Sequence, residues 1–167
     1  MATITQHFPA TMFSPSAGNA FPELKAAGTN YTEYSFSFDA GVNEFLQVLW
    51  RATSYGSGNV TVKVAWYADT ASTGDVVWGA RMAAITANAD TQDVETDTLA
   101  TENTVTDTHL GTVGQRLHEV DLTLSNLDAV AAGDYCVLQL RRFATDAGDT
   151  MAGDAQMVSV TLTYSDV

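Results

Sequence analysis

Basic residues are the scarcest feature of this sequence. Seven Lys and Arg stand against twenty Asp and Glu, giving a formal charge of −13 and a pI near 4.2. A surface of that sign repels phosphate backbones and anionic bilayers, so neither nucleic acid nor a membrane is expected as a direct partner. It leaves plain solubility, or a partner with a basic surface. Cysteine occurs once, at Cys136, so no internal disulfide can form. It sits among alternating apolar residues and reads as a small buried hydrophobe rather than a nucleophile. No apolar run reaches the ~20 residues of a spanning helix. The start, MATITQHFPA, lacks a basic stretch followed by an apolar core, so no Sec-type signal is expected. The two Asn-x-Thr triplets, at Asn30 and Asn59, carry no weight without export.

Catalytic motifs are missing as well. His7, His109 and His118 are scattered rather than clustered as zinc ligands would be. There is no HExxH, no Walker A loop and no GxGxxG. Gly56-Ser57-Gly58 lacks the outer spacing of a nucleophile elbow and reads as a turn. Nothing selects a pair of acids for glycosidase chemistry. No enzyme, cofactor or catalytic residue is therefore expected. Two acidic clusters are weak calcium candidates: Asp90, Asp93, Glu95 and Asp97, and then Asp146, Asp149 and Asp154. Neither has the order of an EF-hand loop. Asp149 and Asp154 could equally close turns through their own side chains, and Arg141 and Arg142 are near enough to form a structural ion pair. Tyr55, Tyr67 and Trp78 are candidates for an exposed sugar platform, against the alternative of sheet packing.

What the chain has in abundance is period-two alternation, the signature of strands with one dry face. It appears in Tyr31–Phe38, Glu44–Thr53, Val60–Ala68, Arg116–Leu124 and Met157–Tyr164, with polar turns between; Val76–Ile85 reads as a further strand, and Tyr135–Leu140, apolar on both sides, as a strand covered on both faces. Residues 86–108 are rich in Thr and acids and read as an exposed loop or edge. No long helical periodicity occurs, although Glu23–Ala27 could make one helical turn and Asn126–Ala132 a turn or short helix. The expected fold is all-β: an antiparallel sandwich of jelly-roll type with about eight strands, occupying residues 29–167. All three prolines (Pro9, Pro15, Pro22) fall in residues 1–28, which therefore read as an extended N-terminal arm. Phe8, Phe13 and Phe21 on that arm are its candidate partner-binding residues.

Three pieces carry a family resemblance: the hairpin VKVAWYADTASTGDVVWGARMAAI (Val62–Ile85), AAGDYCVLQLRR (Ala131–Arg142) and DAGDTMAGDAQMVSVTLTY (Asp146–Tyr164). Together they resemble small virion proteins of tailed bacteriophages, with their W…(T/S)GDVVW hairpin and their strand-R…D…aGDa-strand-Y ending. The resemblance implies a jelly-roll module that assembles as a homotrimer, made in the bacterial host cytoplasm. It further implies a structural role on the virion: capsid decoration, cement or head-fibre protein attached to the major capsid protein. The alternative it leaves open is a tail-fibre, adaptor or receptor module that binds carbohydrate.

Overall fold

A computed structural model describes residues 2–71 and 73–167. Eleven strands form: β1 (Thr3–Pro9), β2 (Ser14–Pro15), β3 (Glu23–Ala27), β4 (Glu33–Phe38), β5 (Glu44–Arg51), β6 (Val60–Ala68), β7 (Asp75–Ile85), β8 (Asn103–Thr108), β9 (His118–Leu124), β10 (Tyr135–Arg142) and β11 (Ala155–Ser165). Alternation decides which way each strand faces. In β6, Val60, Val62, Val64, Trp66 and Ala68 are fully buried, while Thr61, Lys63 and Tyr67 turn outward. Leu46, Val48 and Trp50 of β5 and Cys136, Leu138 and Leu140 of β10 face them from the other sheet. The two sheets thus enclose one apolar core between their inner faces.

One sheet runs β3-β4-β11-β6-β9, with β1 also paired to β11; the other runs β2-β5-β10-β7-β8. From β4 onward, every connection except β7–β8 carries the chain from one sheet to the other. The interleaved order 4-11-6-9 over 5-10-7-8 is that of a jelly roll, so the expected all-β sandwich is the observed fold. The Thr-rich end of the acidic segment is β8, the outer strand of its sheet.

β11 breaks its own alternation. Read as uninterrupted, Val158 would share the face of Val160, Leu162 and Tyr164. Its register on β6 slips between Met157 and Ser159, so Val158 is the extra residue of a β-bulge. Ala155 and Met157 before it, and Val160, Leu162 and Tyr164 after it, can then all face the core. The bulge also divides one edge of β11: β4 pairs with Ala155–Met157, and β1 takes over from Ser159 to Ser165.

Residues 1–28 correct the expectation of an arm. β1 lies along β11 from Thr3↔Ser165 to Pro9↔Ser159, β2 pairs with β5, and β3 pairs with β4. Phe8 and Phe13 are only 5% and 6% exposed and belong to the common core, so neither is free to bind a partner. Phe21 is the exception, at 56% exposed. Proline is tolerated because Pro9 ends its strand and Pro15 sits on a two-residue edge strand, where no central ladder bond is lost. Glu23–Ala27, expected as a helical turn, is strand β3, since its backbone groups find partners on β4. Asn126–Ala132 is a turn.

Arg142, the last residue of β10, locks the 146–154 connection to the sandwich. Its side chain and that of Asp149 are both fully buried and meet through two bonds, Nη2 to Oδ1 at 2.6 Å and Nε to Oδ2 at 3.0 Å. The remaining guanidinium donors reach the carbonyls of Met151 (2.7 Å), Gly153 (2.8 Å) and Phe38 (3.3 Å). Such saturation is what allows a charge to sit in a core.

Candidate functional site

The six-stranded sheet exposes an outer face that is neither flat nor apolar. Ser35 and Ser37 of β4 point there, because Phe36 and Phe38 take the inward positions. Gln156 of β11 lies between Ser37 and Tyr67 in register. These side chains form a chain of hydrogen bonds across the sheet. The Tyr67 hydroxyl lies 3.3 Å from Ser35 Oγ and donates to Glu33 Oε2 at 3.4 Å. Ser35 donates to Gln156 Oε1 (3.4 Å), Gln156 Nε2 to Ser37 Oγ (2.7 Å), and Ser37 to Asp154 Oδ2 (3.2 Å). Ser35, Ser37 and Gln156 are all buried, so this polar floor is rigidly satisfied rather than solvated.

At one end of the chain lies a cleft of about 520 Å³. Tyr31 and Tyr67 line it, with Asn30, Glu33, Gln115, Leu117 and the bulged Val158. Tyr31 is 77% exposed and is presented by the turn after Gly28. That turn requires glycine: φ is +117°, and a Cβ there would collide with the Tyr31 carbonyl. The Tyr67 hydroxyl is pushed above the usual phenol range, first by burial and then by the Glu33 carboxylate, so it stays protonated as a donor. The cleft thus combines two phenol rings, amide groups from Asn30 and Gln115, one carboxylate and an apolar wall. That set can stack on a flat apolar face and hydrogen-bond a hydroxyl-rich ligand.

At the other end, a cleft of about 500 Å³ opens between the edges of the two sheets. Phe21, Leu24, Lys25, Asp39, Glu44 and Asp154 are among its lining residues. Burial, followed by the charges of Asp39 and Asp154, raises the Glu44 carboxyl above its ordinary value, while Arg142 pulls the other way. Glu44 is engaged in structure: its Oε2 accepts the Asp39 N–H at 2.8 Å, while Asp39 Oδ1 caps Gly41 N–H at 2.6 Å. Lys25 lies 3.9 Å from both Asp69 and Asp154.

The calcium candidates do not converge. Asp149 is committed to Arg142 and to the Val77 N–H (3.0 Å), Asp146 closes its own turn on Gly148 N–H (2.7 Å), and Asp154 serves Ser37 and Lys25. In the other cluster, Asp90 accepts from Thr86 N–H, Asp93 from Glu95 N–H and Asp97 from Thr98 N–H. Among the described residues, no group of three or more His, Cys, Asp or Glu is placed to hold a metal. Of the aromatic candidates, Tyr55 is buried against Tyr164 and Trp78 lies edge-on to Phe38 in the core. Tyr67 alone reaches a cleft, and Tyr31, which the strand pattern did not single out, joins it there.

No protein-family model matches the chain, and no curated protein is similar to it. Solved structures share its fold. The chain is similar to part of the Arthrobacter globiformis T6 isomalto-dextranase complexed with panose, at 13% identity and a TM-score of 0.58, over 95% of this chain and 23% of that one. The chain therefore spans less than a quarter of that protein's length. It is also similar to a non-crystalline-cellulose-specific carbohydrate-binding module, CBM28, at 10% identity and a TM-score of 0.54, over 90% of this chain and 86% of that module. At such identities the likeness is one of fold: a two-sheet β-sandwich.

Proposed function

We propose that the chain is a non-catalytic carbohydrate-binding module that holds a glycan segment in the Tyr31–Tyr67 cleft. The observation that carries this reading is the cleft's composition: the exposed Tyr31 ring and the half-buried Tyr67 ring beside Asn30, Gln115 and Glu33. A pyranose offers apolar C–H patches on its ring faces and hydroxyls around its edge, and this lining suits both. The sandwich fold, shared with a cellulose-specific module, supports the same reading. Binding is tested by calorimetry against a panel of soluble α- and β-glucan oligosaccharides, with Tyr31→Ala and Tyr67→Ala as variants. Loss of one ring from a stacked contact is expected to weaken binding by about tenfold. Full affinity in both variants, or no binding to any glycan in the panel, would remove the cleft from consideration.

The setting we propose is a bacteriophage particle, on the strength of the Val62–Ile85 hairpin and the Asp146–Tyr164 ending. A homotrimer on the virion would multiply a modest single-site affinity for a surface glycan through avidity. Attachment of that trimer to the major capsid protein through residues 1–28 keeps only Phe21 of its three candidate anchors, since Phe8 and Phe13 lie in the core. Light scattering that returned a monomeric mass at micromolar concentration would overturn the trimeric setting.

A further inference from the structure

The 109–117 turn joins β8 to β9 and supplies Gln115 and Leu117 to the cleft. Its backbone is held by one side chain. His109 Nδ1 accepts the Gly111 N–H at 3.0 Å, and His109 Nε2 lies 2.9 Å from the Gly114 carbonyl. A carbonyl only accepts and an amide N–H only donates, so His109 is a neutral imidazole with its proton on Nε2. The turn it closes is strained: Thr112, a β-branched residue, sits at φ +69° next to Gly111 at +75°. Gly114 packs so closely on the Ala71 carbonyl that a Cβ would lie 3.0 Å from it.

A second histidine lies against the first. His118, which follows Leu117 directly, stacks on Trp66 at 4.5 Å with planes 21° apart, and its ring centroid is 4.7 Å from that of His109. Both rings are buried, and His118 Nε2 has no hydrogen-bond partner. The charged groups facing this pair are Asp107 from β8 and Arg116 from the turn. From β6 comes the uncharged Trp66, whose Nε1–H occupies Asp107 Oδ2 at 2.8 Å.

We propose that this histidine pair is an acid-released latch on the Gln115–Leu117 wall of the cleft: protonation frees residues 109–117 and with them the grip on the ligand. The proposal rests on the glycan reading for its ligand, but not for its motion. A proton on His109 Nδ1 puts a donor opposite the Gly111 N–H and breaks the staple that holds Thr112 in its strained conformation. A proton on His118 places a charge in a buried site beside a second imidazole. Burial, and next His109, lower the His118 value, with Asp107 opposing. The unfolded or opened state therefore binds protons first. The closed state is fully stable above the ordinary histidine value of about 6.5 and loses stability as pH falls below it toward the depressed value.

The test is hydrogen-exchange protection of residues 109–117 at about pH 7.5 and about pH 5, alongside oligosaccharide affinity at both values. Wild-type protection in that turn is expected to fall by about tenfold or more between the two values. A His109→Gln/His118→Phe variant keeps a donor, an acceptor and a ring stack but cannot titrate, so its protection is expected to stay flat. If the double variant does not fold, His109→Gln alone reports on the staple. Unchanged wild-type protection, or equal opening in the non-titrating variant, overturns the latch. A turn that opens in acid while no glycan binds at either pH upholds the latch and refutes the ligand.

Discussion

Replacing Arg142 tests how far the buried ion pair holds the sandwich together. Arg142→Ala removes two bonds to Asp149 and one each to the carbonyls of Met151, Gly153 and Phe38, all in a site closed to water. Asp149 would then keep only the Val77 N–H. Stranding one member of a buried pair costs about 3–5 kcal/mol, and three carbonyls losing their donor push the sum toward the upper end. With a urea slope of about 2 kcal/mol/M, the unfolding midpoint is expected to drop by about 2 M. Asp149→Leu alone strands the guanidinium and is expected to be similarly costly. Combining Arg142→Ala with Asp149→Leu removes both charges, so the double variant is expected to be more stable than the sum of the single losses implies, by about 2 kcal/mol or more. The measurement is a double-mutant cycle by urea unfolding followed by tryptophan fluorescence. A single-variant cost below about 1 kcal/mol, or strict additivity in the cycle, would refute the view that the 146–154 connection depends on this pair.

The placement of the N-terminal strand is checked by Phe8→Ala, which empties a core position shared by both sheets and is expected to cost about 3–5 kcal/mol in the same assay; no loss of stability would return Phe8 to a surface role. Cys136 is buried, and burial, with Asp134 next, pushes its thiol up to about 12. It is therefore expected to resist thiol reagents at about pH 8 until the protein unfolds, and prompt labelling of the native protein would contradict its placement.

The strand pattern was legible in the sequence wherever a strand has one wet face. Val60–Ala68 declares its orientation through Thr61, Lys63 and Tyr67 at alternate positions. Trp78 misleads because β7 is buried on both faces: Val77, Ala83 and Ile85 are covered as well as Val76, Trp78 and Met82, so parity carries no information there. The bulge at Val158 is invisible to alternation, since a Val fits either face. The prolines of residues 1–28 argued against strands in general, whereas the chain uses them only at strand ends and edges. Tyr31 escaped notice because the alternation counted it as the first residue of a Tyr31–Phe38 strand, whereas β4 begins at Glu33 and Tyr31 lies in the turn before it. The histidine pair is separated by nine positions, and only the β8–β9 turn brings its rings together.

The cleft and the core are built by the same residues working on opposite faces. The alternation YSFSF in β4 gives the core Phe36 and Phe38 and gives the outer face two serines that are themselves buried and hydrogen-bonded. Across the ladder, β11 places Gln156 between them and then bulges, which turns a Val outward instead of a larger neighbour and bends the strand locally. Beside this buried hydrogen-bonded chain the cleft opens, lined by Tyr67 from β6 and Tyr31 from the turn after Gly28. The neighbouring Ser35–Gln156–Ser37 chain is already hydrogen-bonded within itself, so a ligand entering the cleft meets the rings and amides that line it without competing for those groups.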